Sequence, residues 1–234
     1  MALLEVCCGL PESVDAAVAG GARRIELCAD LEADGLTPPV SWIRTVRAKY
    51  PSLTVHVLIR PRAGDFCYTS AEADTMAFQV ESALEAGADG IVLGALTPSG
   101  DVDLPLAERL VALCRTAHPA AGARRTSITF HRAFDVCQRP FEALEQIIGL
   151  GCDRLLTSGQ GATVVEGSYM LRELHRRAAG RLIILPGGGV TPVNAARILS
   201  LTGCTEIHAS ASAVVDGRKV TSAETVAAIL RAVR

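Results

Sequence analysis

The sequence predicts an α/β fold, a (β/α)8 barrel built as one domain over residues 1–234, and three observations predict it. Eight short β-rich runs alternate with eight longer amphipathic or Ala-rich stretches, with no linker or low-complexity break between them. A five-residue motif recurs once per two such units. Within the β-rich runs, apolar and polar residues separate by parity.

The strand-like runs are Leu3–Cys7, Arg24–Cys28, Thr54–Arg60, Gly90–Gly94, Ser127–His131, Arg154–Ser158, Leu182–Pro186 and Glu206–Ser210. The helical stretches between and after them are Glu12–Ala19, Val40–Lys49, Ala71–Glu85, Leu104–His118, Pro140–Ile148, Val165–Ala178, Pro192–Ser200 and Ala223–Ala232. Pro39, Pro140 and Pro192 stand at or near helix starts, where a missing N–H costs nothing.

The repeated motif chooses a closed barrel over an open sheet. Gly21-Ala22-Arg23-Arg24-Ile25, Gly87-Ala88-Asp89-Gly90-Ile91, Gly151-Cys152-Asp153-Arg154-Leu155 and Gly203-Cys204-Thr205-Glu206-Ile207 share Gly, a small residue, two mostly polar positions and an aliphatic. The Gly suits a left-handed helix C-terminus, and the aliphatic opens the next strand. The motif introduces the second, fourth, sixth and eighth strands, a quarter-turn period that fits eightfold closure.

Parity then sets what faces inward. Leu4 and Val6 oppose Glu5 and Cys7; Ile25 and Leu27 oppose Glu26 and Cys28. Val55, Val57 and Ile59 oppose His56, Leu58 and Arg60; Ile128 and Phe130 oppose Thr129 and His131; Ile207 and Ala209 oppose Glu206, His208 and Ser210. Helices must cover the apolar parity, so the polar set faces the lumen, near the strand C-termini where barrel active sites lie. An interior salt-bridge network that only fills the barrel is the alternative. The loops at that end add Arg60-Pro61-Arg62 with Asp65, His131-Arg132 with Asp135, Thr157-Ser158 and the Gly187-Gly188-Gly189 turn. Free N–H groups at such a turn, leading into a helix, suit an anion.

Composition removes other classes. A formal charge of −2 and a pI near 6.2 speak against nucleic acid or a membrane surface as partner. Arg23-Arg24, Arg124-Arg125 and Arg176-Arg177 read as isolated, solvated pairs. No apolar run is long enough to span a bilayer, and the N-terminus lacks a basic signal-peptide region, which makes the cytoplasm the expected location. The 8 cysteines then read as thiols, and the absence of CxxC spacing speaks against structural zinc.

These stretches resemble the CutC family. Glu5-Val6-Cys7, Arg24-Ile25-Glu26-Leu27-Cys28, Gly35-Leu36-Thr37-Pro38, Ile59-Arg60-Pro61-Arg62 with Gly64-Asp65-Phe66, Thr129-Phe130-His131-Arg132-Ala133-Phe134-Asp135, Leu156-Thr157-Ser158-Gly159 and Pro186-Gly187-Gly188-Gly189-Val190 follow that family's order, from Leu3 to about Ser212. The resemblance implies a TIM barrel, a cytoplasmic location and a role in copper homeostasis through copper binding, with Cys7 and Cys28 matching the family's proposed ligands. The chain departs from the family pattern near its end, where a short Val214–Val220 segment replaces a longer loop.

Two chemistries stay open. Lumen-facing thiols on adjacent parallel strands can share one Cu(I), which soft thiolates select. Alternatively, the barrel is an enzyme acting on a small anionic or hydroxylated metabolite. Glu5 and Glu26 would form its acid/base pair if their environments drive their pKa values apart, and His131 is a further acid or base. Arg60, Arg62 and Arg132 would hold the anion, with Asp135, Asp65, Ser158, the Gly187–Gly189 turn, His208 and Ser210 around it. His118 and His175 read as solvated, Cys114, Cys137, Cys152 and Cys204 as packing residues, and Trp42 and Phe78 as helix-to-barrel core. The Ala-rich helices would allow a homo-oligomer.

Overall fold

The computed structural model describes residues 2–116, 125–215 and 218–234. Its eight parallel strands are β1 (Leu3–Cys8), β2 (Arg24–Leu27), β3 (Thr54–Leu58), β4 (Gly90–Leu93), β5 (Ser127–Phe130), β6 (Arg154–Thr157), β7 (Ile183–Pro186) and β8 (Glu206–Ala209). The ladder runs unbroken in the order β7-β6-β5-β4-β3-β2-β1-β8. β7 and β8 lie side by side without a regular ladder, so the barrel is nearly closed. The helices are α1 (Pro11–Ala19), α2 (Val40–Lys49), α3 (Ser70–Glu85), α4 (Leu104–Thr116), α5 (Pro140–Gly149), α6 (Ser168–Ala178), α7 (Ala195–Thr202) and α8 (Ala223–Ala232). All four glycines of the repeated motif have positive φ, as a left-handed helix exit requires.

Local chemistry explains where the helices start. Pro11 and Pro140 occupy first-turn positions. Thr69 and Glu72 form a capping box that fixes the start of α3. α6 begins at Ser168, later than the pattern predicts at Val165, because Val164 N–H donates to the Gly188 carbonyl and Gly167 packs against the Ser158 carbonyl. α7 begins at Ala195, not Pro192, because Thr191 and Asn194 bond each other's backbone N–H groups across the turn. The Val214–Val220 segment contributes to an antiparallel hairpin, β9 (Ser212–Val215) with β10 (Arg218–Thr221), ahead of α8.

The apolar parity of the strands packs with the helices into one core. The lumen parity supplies a small apolar cluster of Cys7, Cys28, Leu58 and Val92. Neighbouring Cys8 belongs to the outer core, as alternation demands. Three surface and core expectations need correction. Phe78 is 69% exposed, because the inward stripe of α3 is Met76, Ala77, Val80 and Ala83. Arg24 is buried in the lumen while Arg23 is exposed. His175 is half-buried against Gly203. Trp42 does pack on the core, whereas His118 and Arg124 lie outside the described residues.

Candidate functional site

The lumen is built in levels, and its lowest level is an ion-pair floor. Arg24, Arg154 and Glu206 are each the first residue of their strand. Glu206 Oε2 accepts from Arg24 Nη2 at 2.5 Å and from Arg154 Nε at 2.7 Å, and Arg154 Nη1 donates to Ser127 Oγ. Burial works against the Glu206 carboxylate, but the bonds from Arg154 and Arg24 outweigh it and hold its pKa down.

Above the floor lies Glu5, fully buried and paired in register with Arg24 and His208. His208 Nδ1 donates to Glu5 Oε1 at 2.9 Å. Arg24 Nε and His56 Nδ1 approach Oε2 at 2.7 and 2.9 Å, as charge contacts whose N–H bonds are not aligned on it. Burial alone would raise the Glu5 pKa; the histidine bonds and the Arg24 charge instead hold it well below the carboxylate range. Glu5 therefore faces the lumen as parity requires, but sits deeper than the mouth.

Glu26 is subject to the opposite balance. Burial, aided by the Glu5 charge, raises its pKa against the pull of His208. His208 lies between the two acids, its Nε2 3.8 Å from Glu26 Oε2. Burial opposes its charge, yet Glu26, Cys7 and Glu5 together raise its pKa well above the usual imidazole value. Two carboxyls with opposite shifts thus flank the His208 ring. Glycines make room for these rings: a Cβ on Gly90 would fall 2.5 Å from His56, and one on Gly187 would fall 3.3 Å from His208.

Beside Glu26 stand the two lumen thiols. Cys7 Sγ and Cys28 Sγ are 3.6 Å apart, and single donor atoms of Cys7, Glu26 and His208 lie within 4.8 Å of one another. The neighbouring Cys28 thiol and burial push Cys7 well above the normal thiol range, so the Cys7 sulfur rests as a protonated thiol.

At the mouth, Arg60 spends three bonds on the Ala33, Gly35 and Gly64 carbonyls, clamping two loops. Arg62 holds Glu72, Asp65 and the carbonyls of Ala63, Asp65 and Cys67, which staples the β3–α3 loop. Asp135 accepts from Arg132, the Thr157 hydroxyl, and the Ser158 and Gln160 N–H groups, so its oxygens organise the β6–α6 loop. Ser158 Oγ bonds Arg132, Asp135 and the Gly161 carbonyl. Ser210 is exposed, near Ser212.

In the glycine turn, Gly187 N–H belongs to the β6–β7 pairing, donating to Thr157. Gly188 and Gly189, both at positive φ, donate to no described residue. The Arg132 guanidinium is 3.3 Å from where a Cβ on Gly188 would be. His131 Nδ1 accepts from Ala133 N–H, which leaves the proton on Nε2; that nitrogen is buried without a partner. Burial and the Arg60 charge drop the His131 pKa to about 3, so the ring is neutral.

The structure thus brings Glu5, Glu26, His208, Cys7 and Cys28 together in the lumen, gathers Arg132, Asp135, Ser158 and the glycine turn at the mouth, and keeps Arg62, Asp65 and Ser210 at the rim. Residues missed in the sequence are Arg24, Arg154 and Tyr68. Parity two residues before Glu26 carries the signal for Arg24.

Comparison with known proteins follows from this layout. Residues 2–213 match the CutC family model. The chain belongs to the CutC family. It is 45% identical over 213 residues to the family protein CutC of Parabacteroides distasonis, covering 91% of this chain and 84% of that one. The CutC of Bacteroides thetaiotaomicron is 48% identical over 207 residues, 88% of this chain and 80% of its own. The solved CutC of Streptococcus agalactiae, named for copper homeostasis, superposes with a TM-score of 0.82 at 29% identity, covering 90% of this chain and 99% of that one.

Proposed function

We propose that this CutC protein serves copper homeostasis by binding Cu(I) in the cytoplasm, with Cys7 and Cys28 as its ligands. The observation that carries this reading is the 3.6 Å separation of the two sulfurs in the lumen, packed with Leu58 and Val92 and with donor atoms of Glu26 and His208 close to Cys7. Two metal–sulfur bonds of about 2.3 Å laid end to end would separate the sulfurs further. A shared ion is therefore held on a bent path, open on one side to Glu26 or His208. Soft thiolates favour Cu(I) over harder ions, and eight free thiols suit a reducing compartment. Loading displaces the thiol protons, so affinity rises with pH. Anaerobic titration against a chromophoric Cu(I) chelator tests the reading. The expected result is about one ion per chain, lost in Cys7→Ser/Cys28→Ser. An unchanged affinity in that variant overturns it.

A second reading is favoured by one specific observation, the opposite pKa shifts of Glu5 and Glu26 on either side of His208. In it the barrel is an acid/base enzyme acting on a small anionic metabolite. Glu26 exchanges the proton, Glu5 positions His208, and the Gly188 and Gly189 N–H groups with Arg132 hold the anion. Thermal stabilisation by an anionic metabolite, lost in Arg132→Ala, supports this reading; no shift with any anion removes it.

A further inference from the structure

On the β3/β5 side of the mouth, four donor hydrogens are left over on three residues. Arg60 commits both Nη1 hydrogens and one of Nη2 to carbonyls, leaving Nε–H and one Nη2 hydrogen, on the two nitrogens that form the bidentate edge of a guanidinium. The buried Tyr68 hydroxyl and His131 Nε2–H also lack partners. Arg60 and His131 are each only 5% exposed. Phe66 links Arg60 to His131, its ring 5.0 Å from the Arg60 guanidinium carbon and 5.1 Å from the His131 ring, and Tyr68 lies near enough to Arg60 to be acted on by its charge. The place is kept open for His131 by Gly94, where a Cβ would fall 2.6 Å from the imidazole.

We propose that Arg60, Tyr68 and His131 form a binding site for a small monocarboxylate, directing their remaining hydrogens at the carboxylate oxygens. A buried cluster of donors selects a group that only accepts, and an ionised carboxylate is such a group. Charge sets the valence. Burial, more than the opposing Arg60 charge, pushes Tyr68 up to about 12, and His131 stays neutral, so Arg60 supplies one positive charge for one negative. The site gives a carboxylate a place other than the Gly188–Gly189 turn and Arg132 of the enzyme reading; it depends on that reading for turnover, but not for binding.

The test follows the His131 Nε2 resonance by 15N NMR while pyruvate, inorganic phosphate or sodium chloride is added at matched ionic strength. Pyruvate should shift it saturably and chloride should not. Tyr68→Phe removes one donor and leaves every Arg60 clamp in place; it should weaken pyruvate about tenfold. The shift should persist in Cys7→Ser/Cys28→Ser. A resonance unmoved by pyruvate, one moved by phosphate alone, or one equally sensitive in Tyr68→Phe overturns the proposal. A saturable pyruvate shift without turnover of any carboxylate removes the enzyme reading and leaves the binding site standing.

Discussion

The floor and the upper half of the barrel lumen are built from the same kinds of charged residue, yet they are satisfied differently. In the floor, Arg154, Glu206 and Ser127 match donors to acceptors, Arg24 bonds Glu206 through Nη2 while its Nε only approaches Glu5, and Glu206 is held ionised by two guanidiniums. In the upper half, Glu26 is pushed toward its neutral form, two thiols face each other at 3.6 Å, and His131, Arg60 and Tyr68 keep unmatched donors. A matched network closes a barrel; an unmatched one is poised for something that binds. On the proposed readings, this division gives the barrel-filling alternative to the lower half and ligand binding to the upper.

The largest expected effect comes from the floor. Glu206→Ala leaves Arg154 without its carboxylate and Arg24 with Glu5 alone, both in the interior. Removing one partner from such a buried network costs ~3–5 kcal/mol. Urea unfolding should show that loss as a lower midpoint at constant slope. Tyr68→Phe in the upper half should stay within ~1 kcal/mol. Equal losses would erase the distinction between the halves.

An effect of intermediate size lies in the acid range. The His131 pKa falls from 6.5 to about 3 on folding, first through burial and then through Arg60. Above pH 6.5 the ring is neutral in both states and contributes no slope. As pH falls from there toward 3, the unfolded chain takes up a proton that the folded protein refuses. Stability is then lost at up to ~1.4 kcal/mol per pH unit. Comparing the pH dependence of unfolding free energy in wild type and His131→Gln isolates this contribution. Parallel curves would mean that His131 reaches a charge partner.

The two halves were not equally legible in the sequence. Parity placed Glu5, Cys7, Glu26, Cys28, His56 and His208 on the lumen face, because alternation along a strand is a local property. The floor was read poorly. Arg24 sits next to exposed Arg23 in the chain, and the pair reads as solvated unless the parity that the strand from Arg24 shares with Glu26 is carried back to its first residue. Depth was equally hidden: Glu5 pairs with the first residue of β2, a register that only the closed sheet fixes. The space around each ring depends on a glycine from a different strand, Gly90 for His56 and Gly94 for His131. Cross-strand complementarity of that kind has no pattern along one chain. At the rim, arginines and aspartates suggestive of anion binding turn out to include Arg62 and Asp65, which bond to each other and to their own loop. Phe78 misled for the reverse reason, being a large apolar residue on the solvent side of α3.

The smallest effect is the sharpest test of the division, because it concerns a buried charge whose removal should do little harm. Glu26 is 5% exposed, and its nearest cationic contact, His208 Nε2, is 3.8 Å away, beyond hydrogen-bond reach. Burial first, and then the Glu5 charge, disfavour its ionised form. Glu26→Gln keeps the volume, removes the strained charge and leaves His208 bonded to Glu5 at 2.9 Å. Near neutral pH the variant should gain up to ~1 kcal/mol, as substitutions that relieve a functional site commonly do. The sign with pH follows from a raised carboxyl. The native charge is unfavourable above the unfolded value of 4.5, so the gain should shrink as pH falls through that value. Cu(I) retention against a competing chelator should weaken in the same variant, since the open side of the thiol pair loses an anionic donor. A loss of ~2 kcal/mol or more in Glu26→Gln would place Glu26 with the matched charges of the floor, and the boundary between the two halves would have to move above it.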